Sequence, residues 1–206
     1  CFISYRREDV RDKFIDEFCK QINQYAFDAT DKKDYFLDRK EIEGSPKYGK
    51  EIYEAIRTSY FFNVFHNYHY LSKNNLWCAK ELKYAIAVEE ARKKILKESD
   101  QDDFCFFNVF IINGKKSDLP NYIKDRNAIE IAAFQYSKYD TTAWQDFAQR
   151  IGNFMLDVYR IYERNPNDFN TCCEHIKEPT DDEIREWINE QKGIMKNNES
   201  NHLPKL

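Results

Sequence analysis

Apolar residues in this chain fall into short runs, separated by longer stretches in which they recur every three or four positions. Phe2-Ile3-Ser4-Tyr5 reads as the tail of a strand, and its abrupt start at Cys1 leads us to expect a few further residues before it. Phe14, Ile15, Phe18, Ile22 and Tyr25 then predict an amphipathic helix of about four turns. Tyr35-Phe36-Leu37 is a second short strand ending at Asp38, followed by a charged loop from Asp38 to Gly44. Ser45-Pro46 reads as an N-cap with proline at the first helical position, and Tyr48, Ile52 and Ile56 as the buried stripe of the helix it opens.

Tyr60 to Phe65 is the third strand, and His66 to Asn75 a polar, aromatic loop. A helix opens at Trp77, continues through Ile86 and Val88, and becomes a solvated, charged face by Lys93 to Glu98. Ser99 to Asp103 reads as linker, and Phe104 to Ile112 as the most apolar strand, closed by Asn113-Gly114. An irregular stretch with Pro120 leads to a last strand, Ile129 to Phe134. Thr142-Ala143-Trp144-Gln145 matches a capping box, with Trp144, Phe147, Ile151, Phe154, Met155 and Val158 lining the helix after it.

Strand and helix thus alternate five times, which predicts an α/β fold with a parallel sheet covered on both faces. Short, right-handed crossovers narrow this to a flavodoxin-like doubly wound sheet of five strands in the order 2-1-3-4-5. Ligands of such sheets bind beyond the carboxyl ends of strands one and three, where the order reverses. Tyr5-Arg6-Arg7 and the loop before Trp77 end there. Trp77 and Glu81, four apart, share one helical face, while Leu82 and Ile86 on the adjacent face must point into the core. Glu81 is therefore expected at the border between core and cleft, beside a large aromatic; as a bare glutamate it would otherwise be a solvated surface residue.

The pattern changes beyond Arg164, which divides the chain into a domain over 1–164 and a helical extension with a polar tail over 165–206. Thr180-Asp181-Asp182-Glu183 is a second capping box, and Ile184, Trp187, Ile188 and Ile194 follow at amphipathic spacing. This helix either packs back on the domain or binds a partner, and the tail from Asn197 is expected to be disordered.

Composition removes several functions. A formal charge of −4 with no long basic run argues against nucleic-acid binding. Only five glycines leave no phosphate cradle. No apolar run has the length of a membrane span and no signal-peptide pattern is present, and six cysteines that form no disulfide framework fit a reducing cytoplasm. Cys1, Cys19, Cys78 and Cys105 lie in apolar or helical stretches, where reduced thiols pack as small hydrophobes. Cys172-Cys173 with His175 has no second ligand pair at usable spacing, so no metal is expected. His66 and His69 lack a partner at ligand or triad spacing and read as surface residues.

Three blocks carry a resemblance: Phe2-Ile3-Ser4-Tyr5-Arg6-Arg7; Phe36-Leu37-Asp38 with Glu43-Gly44; and Trp77-Cys78-Ala79-Lys80-Glu81-Leu82. In this order and spacing, from Cys1 to about Tyr162, the chain resembles the TIR (Toll/interleukin-1 receptor) domain, and most closely its NAD-cleaving branch, which includes bacterial defence proteins. Glu43 stands where signalling receptors carry proline, and Phe134-Gln135 where they carry Phe-Trp; both departures weaken a receptor-adaptor role.

The resemblance implies cleavage of the nicotinamide–ribose bond of NAD⁺, with NAD⁺ as substrate and no cofactor. Glu81 would be the catalytic carboxylate. Tyr5, Arg6, Arg7, Asp38, Glu43 and Trp77 would line the substrate. Arg6 and Arg7 equally suit ion pairs with Glu8 or Asp9, Tyr5 the end of a strand, and Trp77 the core. The resemblance also implies self-association with other TIR copies through the 38–46 loop, and a separate activator or downstream effector protein. Bacterial antiphage defence is the expected setting, by NAD⁺ depletion or by a cyclic ADP-ribose-type signal. A chain that is nearly all TIR domain favours the signal. A non-catalytic TIR scaffold, and more remotely a nucleotide binder without turnover, are the competing readings.

Overall fold

The computed structural model describes residues 1–6, 14–21, 24, 36–37, 48–72, 76–113, 119–120, 123, 126–135, 141–165, 169 and 171–200. Within them β1 (Phe2–Tyr5), β2 (Phe36–Leu37), β3 (Phe62–His66), β4 (Phe107–Ile111) and β5 (Asn127–Glu130) form one sheet in the order β2-β1-β3-β4-β5. Every neighbouring pair is parallel. The order is the one that strand–helix alternation predicts. Parallel neighbours need crossovers rather than hairpins. Helical residues 14–21 (α1), α2 (Tyr48–Thr58), α3 (Trp77–Ile95), the short α4 (Glu98–Gln101) and α5 (Thr142–Arg164) lie between or after the strands, and α6 (Asp181–Ser200) ends the described chain.

Register assigns the two faces, because residues paired across parallel strands project to the same side of the pleat. Phe2, Phe62 and Phe107 are paired; the rings of Phe2 and Phe62 stack and that of Phe107 meets Phe62 edge-on, each at a centroid distance of 5.4 Å. Ser4 and Val64 share this face, which α3 covers. On the other face Phe65 and Phe110 meet Phe18 of α1, which also contacts Trp144 and Phe147 of α5. Asn63 and Asn108, buried on that face, satisfy each other through a 2.9 Å bond from Nδ2 of Asn108.

Several boundaries differ from the sequence reading. The fourth strand begins at Phe107, because Glu98–Gln101 is a helical turn rather than linker and the Phe104 amide donates to the Asp100 carbonyl. Phe104 and Phe106 are nevertheless core residues. The last strand lies at Asn127–Glu130, ahead of the predicted Ile129 to Phe134, and Ala132–Gln135 is a 3-10 turn. The cap of α5 is Thr141, one residue earlier than predicted: its hydroxyl accepts from the Trp144 amide. α6 continues to Ser200, so residues 197–200 are helical rather than a disordered tail. Ile22, Tyr25, the Ser45-Pro46 cap and residues 201–206 lie outside the described residues.

α6 packs back on the domain. Ile184 and Ile188 are fully buried, Lys80 pairs with Asp181 at 2.5 Å, and Thr180 and Glu183 form the predicted capping box. Ahead of it, the Thr171–Cys173 turn buries Cys173 against α3, its thiol 3.9 Å from the Val88 carbonyl.

One buried cation ties three helices together. Arg92, 2% exposed on α3, donates to the carbonyls of Arg57 (2.6 Å) and Ser59 (2.7 Å) at the end of α2, and to the Tyr162 hydroxyl on α5 (2.8 Å). The negative end of the α2 dipole and the faces of Phe106 and Tyr162 receive its charge. Replacing Arg92 by Met leaves these carbonyls buried without a donor; urea unfolding should show a loss of about 3 kcal/mol.

Candidate functional site

The sheet order reverses between β1 and β3, and the polar groups at their carboxyl ends converge there. Glu81 sits one turn into α3, which follows β3 directly in the crossover. Its Oε2 accepts from the Ser4 hydroxyl of β1 at 2.5 Å. The Tyr70 hydroxyl lies 2.5 Å from the same Ser4 Oγ. Ser4 and Tyr70 are buried, and Glu81 is only 5% exposed, so the carboxylate lies within the core rather than at its border. A carboxylate can be buried here because hydroxyl donors replace part of its hydration.

The turn after β3 is fastened to β1 as well. Arg6 Nη1 donates to the His69 carbonyl at 2.9 Å, and the His69 amide donates to Asn67 Oδ1 at 2.9 Å. Arg6 thus bridges the two strand ends that form the crevice. Its Glu8 and Asp9 alternatives, together with Arg7, Asp38, Glu43 and the whole 38–46 loop, lie outside the described residues.

Trp77 is half-buried at the start of α3, with its ring edge against Gly49 of α2 and Lys80 4.9 Å from its centroid. A Cβ on Gly49 would come within 3.2 Å of the indole, so the missing side chain makes room for it. Tyr5 is buried, and strand alternation sends it to the face opposite Ser4 and Glu81. Among the candidate residues that are described, Glu81, Trp77 and Arg6 therefore gather around the switch point, while the Tyr5 ring points away.

The structure adds residues that periodicity did not single out. Ser4 was readable only as a polar residue interrupting an apolar strand, and Tyr70 as one of several aromatics in a polar loop. His66, expected at the surface, is buried at the end of β3 with its ring 5.7 Å from that of Tyr70. Burial alone pushes its imidazole down to about 4. His69 is exposed as expected. On α2, Tyr53 lies near the site: burial first, then the carboxylates of Glu178 and Glu81, push its phenol up.

No group of His, Cys, Asp and Glu able to hold a metal occurs among the described residues. Cys172 and Cys173 are thiols with sulfurs 3.3 Å apart, and none of the six cysteines forms a disulfide. No helix among the described residues is long and apolar enough to cross a membrane.

The buried imidazole has a consequence for stability. Between pH 6.5 and about 4 the unfolded state takes up a proton that folded His66 refuses, so stability is full above this window and falls as pH drops through it. The loss should total about 3 kcal/mol. Urea midpoints measured across this window should decline less steeply in His66→Gln than in the unsubstituted chain.

No curated protein matches the chain significantly. The family model of the TIR domain matches residues 1–96, from β1 through α3 and thus across Ser4, Arg6, Tyr70, Trp77 and Glu81. TIR domains include NAD-cleaving members and signalling modules that associate with other TIR domains. With a doubly wound parallel sheet around this match, residues 1–96 are similar to the TIR domain.

Proposed function

We propose that this chain cleaves the nicotinamide–ribose bond of NAD⁺, with Glu81 as the carboxylate that faces the ribose. The observation that carries the proposal is the position of Glu81: a carboxylate held by Ser4 at the switch point of a TIR sheet. Glycosidic cleavage passes through an oxocarbenium-like ribose, and ordinary glycosidases need an acid for the leaving group as well as a nucleophile or base. Nicotinamide in NAD⁺ is already a cation. It takes the bonding pair from C1′ and departs neutral, with no proton required. A single carboxylate is then enough, provided that it stabilises positive charge as it develops on the ribose.

Water adding to C1′, with loss of one proton, gives ADP-ribose; attack on C1′ by a nucleophile within the same molecule gives a cyclised product. Arg6 and Arg7 suit the pyrophosphate as planar, permanently charged donors. Glu81 is 5% exposed, so turnover requires an opening movement around the start of α3. Association with further TIR copies through the 38–46 loop would supply that movement, under the control of a separate activator protein. Bacterial antiphage defence, in the cytoplasm, is the setting we propose.

A second reading has its own observation. The same burial and hydrogen bonding would make Glu81 a structural residue of a non-catalytic interaction module.

Turnover of NAD⁺ by the purified chain at high concentration, with products separated by chromatography, distinguishes the two. Nicotinamide release is expected, with kcat about 100-fold or more lower in folded Glu81→Gln. The adenine-containing product tells hydrolysis from cyclisation. Absence of turnover, with crowding agents included, would favour the interaction module, and equal turnover in Glu81→Gln would remove Glu81 from the chemistry.

A further inference from the structure

Ser4, Tyr70 and Glu81 come from three elements, β1, the turn after β3, and α3, and lie 66 and 77 residues apart along the chain. Their hydrogen bonds have a direction. Ser4 has one hydroxyl proton, and gives it to Glu81 Oε2. It has none left for Tyr70, so the phenol, 2.5 Å away, must donate to Ser4 Oγ. The result is a directed relay from the Tyr70 hydroxyl through the Ser4 hydroxyl to the carboxylate.

Neither hydroxyl is explained by packing. A strand position facing α3 is ordinarily filled by an apolar residue, as Phe2 and Val64 fill theirs, and a fully buried tyrosine could be a phenylalanine. A buried hydroxyl costs free energy unless it is bonded. Each is retained here in a geometry that ends on one carboxylate oxygen. The relay is also braced from outside: His66 lies beside the Tyr70 ring, and Arg6 fixes the carbonyl of His69, the residue before Tyr70.

We propose that Ser4 and Tyr70 are positioning residues that hold the Glu81 carboxylate in a single orientation through this two-hydroxyl relay. Its kinetic consequence rests on the NAD⁺-cleaving reading; its existence does not. A carboxylate free to rotate about its side chain must be reoriented in every turnover, whereas one fixed by the relay meets the ribose already aligned. Ser4 and Tyr70 act through Glu81 and are not assigned a contact with substrate.

Two readouts on the full chain separate the relay from the activity. A hydroxyl proton in a short bond to a carboxylate resonates far downfield in the proton NMR spectrum. Such a signal is expected in the unsubstituted chain and should vanish in Ser4→Ala and Glu81→Gln. In steady-state kinetics with NAD⁺, Ser4→Ala and Tyr70→Phe should lower kcat about 10- to 100-fold with KM little changed, and Ser4→Thr, which keeps the hydroxyl, should restore most of the loss. Should Ser4→Ala not fold, Tyr70→Phe removes one hydroxyl without opening a cavity and gives the same test. Absence of the downfield signal overturns the relay, and wild-type kcat in both variants overturns the positioning role. A signal lost in Glu81→Gln, in a chain without turnover, upholds the relay and removes the NAD⁺ reading instead.

Discussion

A helix cannot bury charged side chains against a sheet unless each finds a partner, and α3 buries three of them: Glu81, Glu89 and Arg92. They fall along one stripe of the helix, where an ordinary crossover would carry only apolar residues. Glu81 is held by Ser4 of β1. Glu89 accepts from the Phe106 amide just before β4 and pairs with Arg126 just before β5. Arg92 donates to the end of α2 and to Tyr162 of α5. Leaving any one unmatched would cost several kcal/mol. The position of α3 is therefore determined at three points along its length, by groups from most of the sheet and both neighbouring helices.

The stripe divides by chemistry. Toward its carboxyl end the partners are backbone carbonyls, a backbone amide, another charge and the Tyr162 hydroxyl, which itself donates to the Tyr60 carbonyl; all of these serve to fix the fold. At its amino end the partner is a hydroxyl that is itself bonded to a second hydroxyl. Coupling through the Asn67–Leu71 turn and Arg6 then joins the geometry of the carboxylate to both strand ends at the switch point. The C-terminal segment adds to the restraint from outside, through Lys80 with Asp181 and through Cys173 against α3. The amino-terminal turns of α3 are thus held in a closed arrangement, with Glu81 5% exposed.

Much of the fold was legible in the chain, because it rests on local signals. The alternation of apolar runs with helically spaced stretches suffices for the sheet order, since crossover handedness leaves few topologies. Thr180 and Glu183 announce the start of α6 through a motif closed within four residues. Where local signals compete, boundaries shifted by one to four residues: Thr141 takes the cap from Thr142, the turn at Asp100 shortens β4, and β5 ends at Glu130. Glu81 and Trp77 were legible as neighbours on a helix, and the TIR blocks place Glu81 at the switch point.

Sequence by itself thus determined the order of elements, the resemblance to the TIR domain over residues 1–96, and the carboxylate on which the candidate site centres. Only the tertiary structure decided which polar residues are buried with it. Ser4 and Tyr70 meet across 66 residues, and His66 is buried although its neighbours Asn67 to His69 are polar. The physical reason is that periodicity reports the side of an element a residue occupies, whereas desolvation and hydrogen-bond partners depend on what the rest of the chain brings to that side. Arg92 makes the point most sharply: it stands directly before the charged stretch Lys93 to Glu98, yet it is 2% exposed, because the carbonyls that end α2 arrive to accept its hydrogen bonds.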